Sequence, residues 1–246
     1  MSPNQRLIRN RILAALPAEE FALIAPDLQR VELTLGESLH RAGEKIEQVY
    51  FVESGFISAL TMLSEGQPLE IGLIGSEGVA GVSVVLGATN SYSETMCQTG
   101  GGAYRMSVAQ LKAHFASAPH LRDLLLRYTH CFHVQVAQTA ACNAHHELGQ
   151  RLARWMLAAH DRTDTPELSL TQDLIAIMLG VRRSTVSIAA STLQKAGVIR
   201  YQHGHITVTD RLGLENAACE CYEAVVSEYR SLFGDYPAGA PRLHVV

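Results

Sequence analysis

Residues 171–201 read TQDLIAIMLGVRRSTVSIAASTLQKAGVIRY, and the spacing within this stretch decides the architecture of the C-terminal part of the chain. Thr171 stands where a side-chain oxygen caps a helix, with Gln172 and Asp173 in the first turn behind it. Leu174, Ile175, Met178 and Leu179 fall on one stripe, which predicts a short helix with one buried face. Gly180 then supplies a left-handed residue that turns the chain sharply, and Val181 is the apolar residue of the turn. Val186, Ala189, Ala190 and Leu193 form the buried stripe of a second helix, whose small alanines permit a close crossing over the first. The pattern predicts a helix-turn-helix over about residues 171–196. Its second helix leaves Arg182, Arg183, Ser184, Thr185 and Ser187 on the free side at its N-terminal end, the end that meets base edges in the major groove of duplex DNA. A guanidinium fork pairs with guanine, and hydroxyls reach phosphates or either base type. Gly197 closes that helix, and residues 198–201 and 206–209, joined by Gln202, His203, Gly204 and His205, predict a two-stranded wing. Thr171, Gln172, Lys195, Arg200, His203 and His205 complete the candidate contacts to double-stranded DNA.

Working outward, the preceding residues predict a helix from Glu147 to Arg162, with Leu148, Leu152, Trp155, Met156 and Ala159 on one face. Before it, residues 120–144 contain neither Gly nor Pro. Leu121, Leu125, Tyr128, Phe132, Val136 and Thr139 recur there at steps of three or four, the seam of a long amphipathic helix. A helix of this length is expected to pair with a second copy through that seam, although packing on its own barrel satisfies the same pattern. Further upstream, short β-branched or apolar runs at 31–35, 49–52, 57–62, 69–74, 92–97 and 102–106 are separated by glycines, the signature of an antiparallel barrel or sandwich. Residues 6–25 predict two small helices, with Pro17 opening the second. The expected fold class is α+β: an N-terminal antiparallel β-roll with lead-in helices over 1–118, a long helix over 119–146, a winged helix-turn-helix over 147–233, and a frayed tail over 234–246.

Charge is divided unevenly along a chain of net charge −4: residues 1–147 hold 10 basic and 14 acidic side chains, 148–211 hold 8 and 5, and 212–246 hold 2 and 5. The one basic block therefore coincides with the helix-turn-helix, as phosphate neutralisation requires. With 47% apolar and 18% charged residues the composition is that of an ordinary globular protein. The N-terminus lacks the apolar run of a secretory signal, and five cysteines at irregular spacings do not form a disulfide framework, so a cytoplasmic protein with reduced thiols and no membrane partner is expected. No Walker loop, G-x-S-x-G, H-E-x-x-H or paired C-x-x-C occurs, and an enzyme is not expected.

The order of elements, and in particular TQDLIAIMLGVRRSTVSIAASTLQKAGVIRY together with VYFVESGFISAL and GSEGVAGVSVVLG in the roll, resembles the Crp/Fnr family of bacterial transcription regulators. The resemblance implies a cyclic-nucleotide-binding-type β-roll, a dimerisation helix and a C-terminal winged helix-turn-helix, a homodimer on a near-palindromic operator, and RNA polymerase as a partner. Carried over by position, Arg183, Ser184 and Ser187 or Ile188 occupy the family's base-reading places, but only Arg183 keeps the commonest chemistry there. The family's cyclic-AMP pocket uses a Gly-Glu pair and an Arg-Ser pair; these fall on Gly81-Val82 and, approximately, Tyr92-Ser93. Gly81, Val82, Ser83, Tyr92 and Ser93 are thus the effector-pocket candidates, and without the cation cyclic AMP is not expected in the usual manner. No cysteine precedes Cys97, which argues against the family's iron–sulfur cluster. Haem or another metal is left open by His114, His120, His130, His133, His145 and His146, by the i, i+4 pair Cys142 and His146, and by Cys219-Glu220-Cys221. On an expected helix that last pair points about 200° apart, so no residue is assigned to a metal.

Overall fold

The computed structural model of the chain describes residues 3–62, 68–163, 165, 167–202 and 204–234. They form two compact units, Met1–His133 and Val134–Val246, divided within the long helix. Of the sequence-based expectations, His203 and the tail beyond Gly234 lie outside the described residues.

The first unit opens with helices α1 (Arg11–Ala14) and α2 (Ala18–Ile24). Asn10 caps α1 by accepting from the Leu13 N–H at 3.2 Å, while its amide donates to the carbonyls of Val52 (3.0 Å) and Gly78 (2.9 Å). A wholly buried amide with its donors and acceptor engaged anchors the lead-in helices to the strands. Among the described residues eight strands follow: β1 (Gln29–Leu33), β2 (Ser38–His40), β3 (Gln48–Ser54), β4 (Ile57–Thr61), β5 (Leu69–Ile74), β6 (Val79–Ala80), β7 (Glu94–Cys97) and β8 (Gly101–Ser107). They make two antiparallel four-stranded sheets, β1-β8-β3-β6 and β2-β7-β4-β5, the β-roll expected from the sequence. Val49, Phe51, Val52, Ile57, Leu60 and Leu73 are buried in it. A tight turn over Val82–Leu86 lies between β6 and β7, and α3 (Val108–Ser117) follows β8, opened by a capping box in which Ser107 and Gln110 satisfy each other's backbone N–H groups.

The long helix is α4 (Pro119–His145). Its N-terminus is closed by the Glu20 carboxylate of α2, which accepts from the His120 and Leu121 N–H groups at 3.1 and 3.0 Å and from His120 Nδ1 at 2.7 Å. An anion at a helix N-terminus meets both the unpaired N–H groups and the helix dipole. Burial raises the Glu20 pKa, but these hydrogen bonds outweigh it and hold the carboxyl below its usual range.

One expectation is corrected here. The seam expected to face a second copy is turned into the chain's own first unit over its N-terminal half: Leu121, Leu125 and Tyr128 are fully buried and Phe132 nearly so. A Cβ on Gly78 would come within 2.5 Å of the Tyr128 hydroxyl, so the ring packs closely against the turn between β5 and β6. The roll needs a lid for its apolar face, and this seam supplies it. Thr139 is likewise buried and Val136 half-buried, in the second unit.

The second unit contains the end of α4, then α5 (Leu148–His160), β9 (Glu167–Ser169), α6 (Gln172–Leu179), α7 (Arg183–Lys195), β10 (Ile199–Gln202), β11 (His205–Val208), α8 (Arg211–Ala217) and α9 (Cys221–Phe233). Trp155, Met156, Ile175, Val186, Ile206 and Leu214 form its core. The wing has three strands, β10-β11-β9, because Glu167–Ser169 adds an edge that the sequence did not signal. Arg211 of α8 binds Asp161 at 2.7 Å and donates to Tyr222 Oη at 2.6 Å, and Tyr222 donates to Asp161 at 2.8 Å, locking α5, α8 and α9 together. Among the described residues no single helix is long and apolar enough to cross a membrane.

Candidate nucleic-acid interface

The Thr171 hydroxyl caps α6 by accepting from the Leu174 N–H at 3.2 Å. Gly180 ends α6 at φ 63°, ψ 39°, a left-handed conformation that a residue with a Cβ enters only at a cost. The chain leaves that turn into α7 with an interhelical bend of 105°, within the range that defines a helix-turn-helix. Val186, Ala189, Ala190 and Leu193 face inward, as the stripe requires.

What remains outside is the first turn of α7. Arg182, Arg183, Ser184 and Thr185 are exposed, and with no side-chain cap at Arg182 the first N–H groups of the helix are open to an anion. Arg183 Nε lies 3.5 Å from Asp173 Oδ1, with both side chains about two-thirds exposed. A pair so exposed contributes at most about 1 kcal/mol and releases the guanidinium easily to a stronger acceptor. Ser187 behaves differently. Its hydroxyl donates to the Gln172 amide oxygen, so Ser187 and Gln172 brace α7 against α6. Ile188, 69% exposed one residue further on, presents an apolar face suited to a thymine methyl group. Lys195 and Arg200 are exposed, at the end of α7 and on β10. His205 on β11 is held by Glu167 at 2.7 Å across the wing, with Ser169 Oγ 3.3 Å from the same nitrogen. The structure thus leaves Arg182, Arg183, Ser184 and Thr185 exposed together on the first turn of α7 and assigns Gln172, Ser187 and His205 internal partners that the linear pattern did not reveal.

The effector-pocket candidates also converge. Gly81, Val82, Ser83, Tyr92 and Ser93 line one cavity of the first unit, together with Tyr128 and Phe132 of α4. Among the described residues that line it, none is charged. Arg105 lies on β8 and donates to Gln29 at 3.0 and 2.9 Å. His40 packs beneath Gly81, whose Cβ would meet its ring at 3.0 Å; its Nδ1 is 2.8 Å from Thr95 Oγ1 and its Nε2 2.9 Å from the Gln48 carbonyl. Burial holds its pKa below the ordinary imidazole value. Of the histidines considered for haem, His114 is 2.7 Å from Asp27 and His120 2.7 Å from Glu20.

A second correction concerns Cys219 and Cys221. They do not share a helix: α8 ends at Ala217 and α9 begins at Cys221, so Glu220 lies in a turn and the two thiols converge.

Comparison with known proteins locates the match on the same segment. The family described as the Crp-like helix-turn-helix domain matches residues 150–217. FixK2 from Bradyrhizobium japonicum superposes with a TM-score of 0.68 at 17% identity, over 78% of this chain and 98% of its own. The c-di-GMP-responsive global regulator CLP of Xanthomonas campestris gives 0.64 at 16% identity, over 78% and 99%. TTHA1359, a Crp/Fnr-family transcriptional regulator of Thermus thermophilus, gives 0.62 at 20% identity, over 79% and 98%. Comparison of the sequence with curated proteins finds no match.

Proposed function

From a chain that carries a Crp-like helix-turn-helix domain and has the Crp/Fnr fold, we propose a homodimeric, sequence-specific transcription regulator whose α7 enters the major groove. The observation that supports it best is the first turn of α7: two arginines and two hydroxyls, exposed and contiguous, on a helix braced at 105° by its neighbour. Arg183 reads a base, Arg182 and the hydroxyls engage the phosphates or adjacent bases, and Lys195 and Arg200 neutralise phosphates further out.

Dimerisation runs along the side of α4 that the roll leaves free. Leu126, His130, His133, Ala137, Ala140 and Ala144 are all exposed and follow one another at alternating steps of four and three, the a/d spacing of a coiled coil. Pairing two copies along this stripe sets two recognition helices on a near-palindromic site with half-sites about 34 Å apart. The cavity beneath Tyr128 and Phe132 fits a small uncharged effector better than a cyclic nucleotide, whose phosphate demands a cation. An effector there would bias α4 and so the DNA-competent population. The protein acts in the cytoplasm, alongside RNA polymerase.

The test is immunoprecipitation of the tagged chain with crosslinked DNA from its own cells. Recovery concentrated upstream of genes, on fragments sharing a two-fold symmetric motif, supports the reading. Recovery spread evenly over the genome contradicts it.

A further inference from the structure

Three thiols and one imidazole from two separate parts of the sequence meet inside the second unit. Cys142 is on the last turns of α4, and His146 follows one turn later, its N–H still bonded to the Cys142 carbonyl at 3.0 Å. Cys219 and Cys221 come from the turn between α8 and α9 and its first helical residue. One ligand atom from each of the four lies within 4.8 Å of all the others. Cys142 Sγ is 3.5 Å from Cys219 Sγ, and Cys221 Sγ is 3.4 Å from His146 Nδ1. A tetrahedral zinc ion, with sulfur at about 2.3 Å and nitrogen at about 2.0 Å, places its donors about 3.5 to 3.8 Å apart. We propose that Cys142, His146, Cys219 and Cys221 form a structural Zn²⁺ site that ties the end of α4 to the α8–α9 turn.

The surroundings complete the argument. His146 directs Nδ1 at the cluster, and its Nε2 is 3.2 Å from Glu220 Oε1, the carboxylate–histidine arrangement that orients a metal-bound imidazole. Gln138 Nε2 donates to Cys221 Sγ at 3.1 Å, a bond that favours thiolate. The Arg151 guanidinium acts electrostatically on Cys142 and offsets the net negative charge of three thiolates around one dication. Cys142, Cys219 and Cys221 are buried. Burial pushes the Cys219 thiol up to about 12 and raises that of Cys221 as well. Binding releases three thiol protons, one from each cysteine, and forms three Zn–S bonds and one Zn–N bond with neutral His146. Four protein donors close the coordination sphere, which is the mark of a structural rather than a catalytic zinc. A polynuclear iron–sulfur cluster spreads its thiolates over different irons and needs a wider donor set than this one.

The experiment is elemental analysis of the full chain, expressed in zinc-containing medium and purified without chelators or immobilised-metal resin. One zinc per chain is expected, lost in Cys219→Ser and Cys142→Ser and retained in Cys97→Ser and Cys131→Ser. Because the first two variants can fail to fold, Glu220→Gln provides an independent measure: it should fold and yet lose about 10- to 100-fold in zinc affinity against a competing chelator. Cobalt substituted into the wild-type chain should show the intense visible absorption and thiolate charge-transfer bands of a tetrahedral S₃N site. Metal-free protein with these thiols freely reactive, a Cys142–Cys219 disulfide, iron in place of zinc, or a Glu220→Gln chain with unchanged zinc affinity would each overturn the proposal. None of these results depends on DNA binding.

Discussion

On the proposed reading, Arg183 is the residue on which specificity turns. It is exposed, paired with Asp173, and stands at the N-terminal end of α7. Arg183→Ala is expected to cost about 1 to 3 kcal/mol of specific affinity and to relax the preference at one base position; measured on a panel of single-base operator variants, an equal loss on every sequence would make it a phosphate contact instead. Lys195→Ala should weaken binding evenly and lower the slope of log K against log salt by about one. A slope unchanged within error would remove Lys195 from the interface. His40 carries a different consequence. Burial depresses its pKa below the ordinary imidazole value of about 6.5, so the folded roll takes up a proton less readily than the unfolded chain. Well above pH 6.5 both states are neutral and His40 contributes nothing to the pH dependence; as pH falls through 6.5, the unfolded state binds the proton first and the first unit loses stability. Thermal melts from pH 7.5 to 5 should show this fall in the wild-type chain and a shallower one in His40→Gln; parallel curves would contradict it.

At the level of elements, the buried face of α4 is distinct from the exposed stripe proposed for dimerisation, and the heptad-like pattern ran the two together. Leu125→Ala removes a fully buried side chain and should destabilise the first unit by about 2 to 5 kcal/mol in denaturant unfolding, with dimerisation affected only through folding. Leu126→Glu, on the exposed stripe, should leave the melting of the first unit intact while giving monomers by analytical ultracentrifugation. A dimer that survives Leu126→Glu would place the interface elsewhere. The reason the sequence misled here is physical: amphipathic spacing reports that a stripe is buried, not by what. The helix-turn-helix was legible because Thr171, Gly180 and the Val186-Ala189-Ala190-Leu193 stripe act locally, through capping, a positive φ and a short helix period. Helix α3 is also written locally, in the Ser107–Gln110 capping box, but it was missed because β8 runs straight into it with no glycine or proline between them. Strands β2, β6 and β9 have only two or three residues each and exist through their partners, so nothing within them announces a strand. The convergence of Cys142, His146, Cys219 and Cys221 depended on where one helix stops, a boundary that periodicity resolves poorly.

For the whole molecule, a β-roll with a cavity lined in part by Tyr128 and Phe132, and a helix-turn-helix with an open first turn, would serve on the proposed reading as the parts of a ligand-gated reader of DNA. The central claim is that two copies of α7 read one symmetric site. Selection from a random pool of duplex oligonucleotides, repeated with candidate small uncharged ligands present and absent, tests it most directly. The account predicts enrichment of a two-fold symmetric motif with half-sites one helical turn apart, lost in the Arg182→Ala, Arg183→Ala double variant. Failure to enrich any motif under either condition would contradict it.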